Sequence, residues 1–334
     1  MSNLIAWIIR SLVFGSVMLY GALGELLTEK AGNLNLGTPG IVCIGGAFGF
    51  AGAYAYEYSC LTAGNTPVGW ICIVVALLCG FVSSVAAGAL YCFLTTTLKA
   101  NQNVTGLTLT TFGVGFATFL GRYAIPAGAV SAKADYTYKA FSTKIPFLGD
   151  SLGWVSEVFF SYGFMMYLAI AIAIVMHIIL KKTRVGLNLR AVGEKPATAD
   201  AAGINVSLYK YVAVMLGSGI SGLGGVYYVL DYGYGTWATD AGEAIEALAW
   251  LSVALVIFTS WEPLTAIIGS YLFGLCFWAY MYVPQILNIK VNTHLAQMLP
   301  YIVTIIILII GSLRSSKEKQ GPASLGLSYF REDR

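Results

Sequence analysis

From Val68 to Leu98 the chain runs for 31 residues without a charged side chain. About 20 such residues already cross the hydrocarbon of a bilayer. Apolar runs of similar kind recur at 4–24, 104–123, 157–180, 209–230, 245–259, 263–282 and 298–313, and another resumes near residue 38 and reaches Tyr58. In lipid every backbone donor and acceptor must be satisfied within the segment, so these runs are expected to be helices. Composition agrees: 57% of residues are hydrophobic and 10% charged, against roughly 25% charged in soluble domains. The expected fold class is an all-α polytopic membrane protein of about 8–10 transmembrane helices, one or two of them broken or re-entrant. The run at 68–98 is too long for one upright span, so it tilts or ends in an extra turn. The small residues of its centre, GFVSSVAAGAL, predict close helix packing.

The polar interruptions carry the functional signal. Between the first two apolar blocks stand Gly32, Asn33, Asn35, Gly37, Pro39 and Gly40. They read as a broken or re-entrant helix, or as a polar loop between two full spans. Unwound backbone at membrane depth survives only where it is buried in protein or lines a cavity, which makes Asn33, Asn35 and Gly37 candidate translocation-path residues. Span 104–123 carries a hydroxyl face including Thr108 and Thr111. Most such hydroxyls bond their own helix, and a minority can touch a polar solute. Span 245–259 is short, near 15 residues, and ends at Phe258, Ser260, Trp261, Glu262 and Pro263. Short, Gly-interrupted stretches around 32–46 and 240–262 are what an inverted repeat with a central site shows. Span 209–230 contains GSGISGLGGVYY, with Gly217 four residues before Ser221, a pattern that permits close helix approach. Arg10 is expected to snorkel, and His177 to sit at the interface without an identifiable acidic partner.

Several classes are poorly supported. Six scattered cysteines, with no CxxC pair, read as packing residues and suggest neither a disulfide framework nor a metal site. No G-x-x-x-x-G-K-[ST] loop occurs, so the chain carries no ATP site of the P-loop kind. No nucleophile–base constellation suggests catalysis, and no catalytic residue is assigned. The net charge of +3 is small. It gathers in one loop and the tail, which reports topology and not nucleic-acid binding.

That loop is 181–208. Lys181, Lys182, Arg184, Arg190 and Lys195 face only Glu194 and Asp200, the bias of a cytoplasmic loop. Pro196 suits a first helical turn, Ala197–Ala202 is a helical run, and Gly203 can close it. A solvated loop and a docking helix both fit. The string RVGLNLRAVGEKPATADAAGINV resembles the coupling loop of ABC-importer permeases, in the branch that includes the branched-chain amino acid, simple-sugar and nucleoside permeases. Gly186, Arg190, Ala191, Gly193, Pro196, Gly203 and Ile204 stand at matching positions, with Ala199 and Ala201 in the small-residue stretch. Glu29, Gly32, Asn35, Gly37 and Gly40 resemble a second signature of that branch, with Leu36 where an Ile is usual. Phe258, Trp261 and Pro263 resemble a third, nearest its nucleoside and simple-sugar side, with Thr259 replacing a glycine.

The resemblance implies a permease subunit at 1–313, followed by a cytoplasmic tail at 314–334, in a bacterial-type cell membrane. Its implied ATPase-coupling residues are Arg190, Gly193, Glu194, Pro196, Ala199, Asp200, Gly203 and Ile204. Its implied partners are two ABC ATPase subunits that bind the ATP, a second permease copy or paralogue, and an extracytoplasmic solute-binding protein or lipoprotein. The solute implied is a nucleoside, with a simple sugar, riboflavin or a branched-chain amino acid as alternatives. A stand-alone channel needs no docking helix. A secondary transporter needs an essential acid, for which Glu25, Glu246 and Glu262 are the candidates.

Overall fold

A computed structural model of the chain describes residues 2–125, 129–144, 160–287 and 321–330, together with residues 158, 298, 302, 305 and 309. Among these residues, 8 helices are long and apolar enough to cross a membrane. Most of the expected span at 298–313 and of the 314–334 tail lies outside the described residues.

The spans are α1 (Ser2–Lys30), α2 (Thr38–Thr62), α3 (Gly69–Cys92) and α4 (Gln102–Ala124). After a short strand β1 (Ser131–Lys133) and helix α5 (Asp135–Phe141) comes α6 (Phe164–Lys182). Two short helices follow, α7 (Arg184–Glu194) and α8 (Pro196–Ala201), then α9 (Val206–Tyr227), strand β2 (Thr236–Ala238), α10 (Ala241–Phe258) and α11 (Pro263–Leu287). The bundle has two distinct ends. At one, β1 and β2 pair antiparallel. At the other, α7, α8 and the Ala31–Gly37 linker meet; this is called the loop end below.

α1 is buried on every side from Phe14 to Leu26 and packs against α6, α9, α10 and α11. Its neighbour α9 packs by close backbone approach. A Cβ at Gly225 would stand 2.0 Å from the Val42 carbonyl oxygen of α2, and one at Gly217 would stand 2.5 Å from the Gly24 oxygen of α1. Ser84 of α3 presses on Gly222, and Ser218 of α9 on Gly88 of α3. The small residues of 80–88 and 217–225 therefore do what their sequence predicts: they let backbones touch. In lipid this matters because helices associate through van der Waals packing and hydrogen bonds, with no water to drive them together. The outer surface is correspondingly apolar, with Val82, Phe112, Phe119 and Ile268 exposed.

α3 and α9 run antiparallel in contact, Gly80 lying near Val226 and Gly88 near Val214. Each passes directly into a five-residue π-helical turn, Phe93–Thr97 after α3 and Tyr228–Tyr232 after α9. Each turn leads to a residue in the left-handed region, Lys99 (φ 57°) or Tyr234 (φ 56°), and then to a new span. Corresponding breaks at opposite ends of an antiparallel pair are the imprint of an inverted internal repeat. The long run at 68–98 thus ends in an extra, wide turn.

The first polar interruption joins two complete spans: α1 continues to Lys30, and only Ala31–Gly37 is unwound. The segment is buried at the loop end, so it has features of both readings offered by its sequence. The seventh span is 18 residues long, somewhat longer than its hydropathy suggests.

Replacing Gly225 by Ala forces α2 and α9 apart, because the obstructing atom is backbone. Overpacking of this kind costs about 1–3 kcal/mol and is expected to lower the melting temperature of the purified protein. Gly115→Ala, where a Cβ meets nothing within 4 Å, is expected to leave it unchanged or slightly raised. Equal melting temperatures for the two variants would show that the α2–α9 contact does not limit stability.

Candidate functional site

The 181–208 segment folds as two helices where its sequence suggests one. Thr183 caps α7, its hydroxyl oxygen accepting from the Gly186 N–H at 3.2 Å. Gly186, Leu189, Val192 and Gly193 form the buried face, while Arg184, Arg190 and Glu194 point away from the bundle. Both glycines are dictated by contact. Gly186 lies against the Ile179 and Leu180 backbone, and Gly193 against the Lys30 carbonyl.

Pro196 opens α8 as expected, in the first turn where its missing N–H leaves no donor unsatisfied. Ala199 is buried in a small cluster with Val192 and Val206. The helix closes on Gly203 (φ 82°), whose N–H donates to Asp200 O at 3.0 Å while the Ile204 N–H donates to Ala199 O at 3.0 Å. This pair of bonds is the Schellman stop, for which a left-handed residue is required. Ala197, Thr198, Ala201, Ala202 and Gly203 remain exposed, Pro196, Asp200 and Ile204 are half-buried, and the result is a small-residue knob projecting from the bundle.

Residues 321–330 hold the knob from behind. Ser324 donates to the Gly193 carbonyl from both its N–H (3.1 Å) and its hydroxyl. The Ala323 N–H donates to Glu194 Oε2 at 3.3 Å, and the Tyr329 hydroxyl to Asp200 Oδ2 at 2.9 Å. The same ten residues reach the Ala31–Gly37 linker through Gly326 N–H to Gly32 O (3.3 Å), and α4 through Gln102 Nε2 to Leu327 O (3.3 Å). Nothing in the local sequence announces this docking, because every partner is remote in the chain.

The linker itself is a polar junction. Glu25 accepts from the Asn35 N–H at 3.1 Å and from the Thr38 hydroxyl. Glu29 accepts from the Trp261 indole N–H. The Leu34 N–H donates to Gln102 Oε1 (2.7 Å), while the Leu34 and Leu36 carbonyls accept from the hydroxyls of Tyr91 (2.6 Å) and Thr110 (2.7 Å). Side chains from α1, α3 and α4 thus replace the ladder bonds that an unwound, buried backbone forfeits. Asn35 Oδ1 closes a local turn on the Gly37 N–H (3.0 Å), and Asn33 reaches Thr96 at 3.4 Å. Beside the junction, His177 Nδ1 lies 3.8 Å and Lys181 Nζ 3.0 Å from Glu262, giving His177 the acidic neighbour that its sequence does not identify.

The seven candidate path residues do not assemble into one cavity. Asn33, Asn35, Gly37, Phe258 and Trp261 gather at the loop end. Thr108 and Thr111 lie on the exposed face of α4, their hydroxyls donating back to the Val104 (2.8 Å) and Leu107 (3.2 Å) carbonyls. At the opposite end a cavity of about 660 Å³ is ringed by tyrosines, among them Tyr138, Tyr162, Tyr227 and Tyr232, with Arg10, Lys144 and Asp231. Arg10 also stacks on Trp278 at 5.4 Å. Among the described residues no three His, Cys, Asp or Glu side chains gather as a metal-holding group.

Comparison with known proteins follows the same line. Residues 7–308 match the family model described as "Branched-chain amino acid transport system / permease component". A protein of Haloferax volcanii named "Putative glucose ABC transporter permease protein" is 30% identical over 95% of both chains. A nucleoside ABC transporter permease protein of Lactococcus lactis is 31% identical over 89% of both. A guanosine ABC transporter permease protein of Bacillus subtilis is 31% identical over 79% of this chain and 78% of its own. No solved structure matches significantly.

Two outcomes test the junction. Trp261→Phe leaves a buried carboxyl group without its donor, an expected loss of about 1–3 kcal/mol in unfolding free energy. Glu29→Leu in that background is expected to recover part of it; strict additivity in the double-mutant cycle would sink the pairing. Deleting 321–334 is expected to speed tryptic cleavage at Arg190 by roughly tenfold, since local opening loses the equivalent of one or two net hydrogen bonds.

Proposed function

The chain belongs to the family of branched-chain amino acid transport system permease components and is the membrane-spanning, non-enzymatic part of an ABC importer; from that premise we propose that it imports a nucleoside-type solute. The observation that carries the coupling half of this reading is the α8 knob. It is a short helix with a small, exposed face, rigidly stopped by Gly203 and braced from behind by residues 321–330. Such a shape fits a groove on a partner ATPase subunit.

In this reading the loop end lies in the cytoplasm together with residues 321–330, an orientation that the basic residues around the knob support. The strand-paired end then faces the extracytoplasmic solute-binding protein. Closure of two ATPase subunits on ATP pushes α8, and α7 carries the push inward. Gly193 stands directly against the Lys30 backbone, so α7 cannot advance without displacing the end of α1. From there the Glu29–Trp261 bond reaches the α10–α11 turn, and Glu25 reaches the start of α2. The spans rock as rigid bodies and expose the solute alternately to each side, paired with a second permease copy or paralogue.

The nucleoside assignment is supported by two relatives named for nucleoside and guanosine transport. The tyrosine-ringed cavity at the far end adds ring faces and hydroxyls suited to a flat, polar heterocycle. The Haloferax volcanii relative, whose name refers to glucose, favours a sugar as the second reading.

The test is reconstitution with the ATPase subunits and binding protein that co-purify. ATPase activity is measured against a panel of nucleosides, simple sugars and amino acids. Stimulation by nucleosides alone is the expected result, and stimulation by sugars alone would move the assignment to the second reading. Ala201→Arg, on the exposed face of the knob, is expected to reduce solute-stimulated ATPase activity at least tenfold, whereas Thr108→Val leaves coupling intact. Full coupling in Ala201→Arg would remove the α8 docking reading.

A further inference from the structure

A cavity of about 400 Å³ opens at the loop end between the π-turn of α3, the stop of α8, the start of α9 and the 321–330 segment. Thr95, Lys99, Asp200, Ser207, Lys210 and Tyr329 are among its lining residues. Lys210 is the unusual member. It is only 3% exposed, and it makes no hydrogen bond or ion pair among the described residues. Its stem is buried, while its ammonium is not sealed from solvent and meets the cavity, where a bound anion would compensate the charge. Asp200, the carboxylate on the wall, is engaged by the Tyr329 hydroxyl.

Two further features share the same polarity. α9 is 22 residues long and directs its N-terminus at the cavity. Asn205 caps the Leu208 N–H at 3.0 Å, while the N–H groups of Val206 and Ser207 have no partner among the described residues. Free first-turn donors and the helix dipole together favour an anion. Lys99 adds a second cation at the rim, its ammonium 4.2 Å from the Phe330 ring.

We propose that this cavity binds a phosphate group, held by Lys210, Lys99 and the first-turn N–H groups of α9. The phosphate belongs either to a soluble phosphate ester or to an anionic lipid headgroup, since the cavity sits where α3 leaves the apolar layer. Because Gly203, Ile204 and Asn205 also line it, a bound phosphate ties the end of α8 to α3. It would thereby set how firmly the knob is held. The test does not depend on transport.

The purified full chain is titrated with inorganic phosphate against chloride at matched ionic strength while thermal unfolding is followed. In parallel, chain recovered from bilayers containing phosphatidylglycerol is weighed by native mass spectrometry. A saturable rise in melting temperature of about 2 °C or more, lost in Lys210→Met and kept in Lys210→Arg, establishes the site with a soluble source. Phosphatidylglycerol retained by the native chain and lost by Lys210→Met establishes it with a lipid source. Lys99→Met, at an exposed position independent of the core, is expected to weaken binding about tenfold, which keeps the test open should Lys210→Met fail to fold. No phosphate response, together with lipid retention unchanged by Lys99→Met and by any Lys210 variant that folds, overturns the proposal.

Discussion

Backbone contact along α9 is the constraint from which the rest of the architecture follows. Between lipid-facing helices there is no hydrophobic drive to associate, and stability must come from atoms packed at van der Waals distance. α9 obtains that contact by presenting glycine to three neighbours, α1 through Gly217, α2 through Gly225 and α3 through Gly222. A contact made by backbone cannot be re-formed by a side-chain rotamer change. The two halves of the repeat are therefore held in register through backbone contacts, those of α9 and those between α1 and α11 at Gly15 and Gly274, and movement among them is confined to rigid-body tilts and to the breaks after α3 and α9.

The loop end shows how a polar assembly can be built at the edge of such a bundle. The linker after α1 is unwound yet buried, and its backbone groups are met by Glu25, Tyr91, Gln102 and Thr110 from three different helices. Buried polar networks are worth most when every member is satisfied, and a half-satisfied one costs more than an apolar core. The consequence is positional: displacing any one of these helices strands a donor or acceptor on another. The knob on α8 is wired into this assembly through Gly193, whose face meets the Lys30 backbone and whose carbonyl holds Ser324.

Much of this is written locally in the chain and is legible there. Hydropathy places the spans, the small-residue runs at 80–88 and 217–225 announce close packing, and Pro196 with Gly203 bracket a short helix. Each of these signals is complete within a dozen residues. α7 is harder to read because RVGLNLRAVGE is half polar, and its helix is secured by burial of Gly186 and Gly193 against other elements. The strands β1 and β2 are three residues each and exist only through a pairing remote in the chain, Lys133 with Thr236 at the nearest. The Glu262 neighbour of His177 and the donors to Glu25 and Glu29 are likewise long-range. Asn33, Asn35 and Trp261, singled out for polarity or pattern, prove to hold the junction together. Thr108 and Thr111 satisfy their own helix, the commoner fate of a hydroxyl in an apolar span.

The docking of residues 321–330 has a consequence in time as well as space. Ser324 is 131 residues beyond the Gly193 carbonyl it binds, and a ribosome releases the chain from its first residue onward. The spans can insert and pack as they emerge, but the brace behind the knob is made only after α11. The proposed docking surface thus stays incomplete until the eight described spans have been made. A fragment arrested earlier would reside in the bilayer with a largely formed bundle and an unfinished handle, which separates membrane insertion from readiness for assembly.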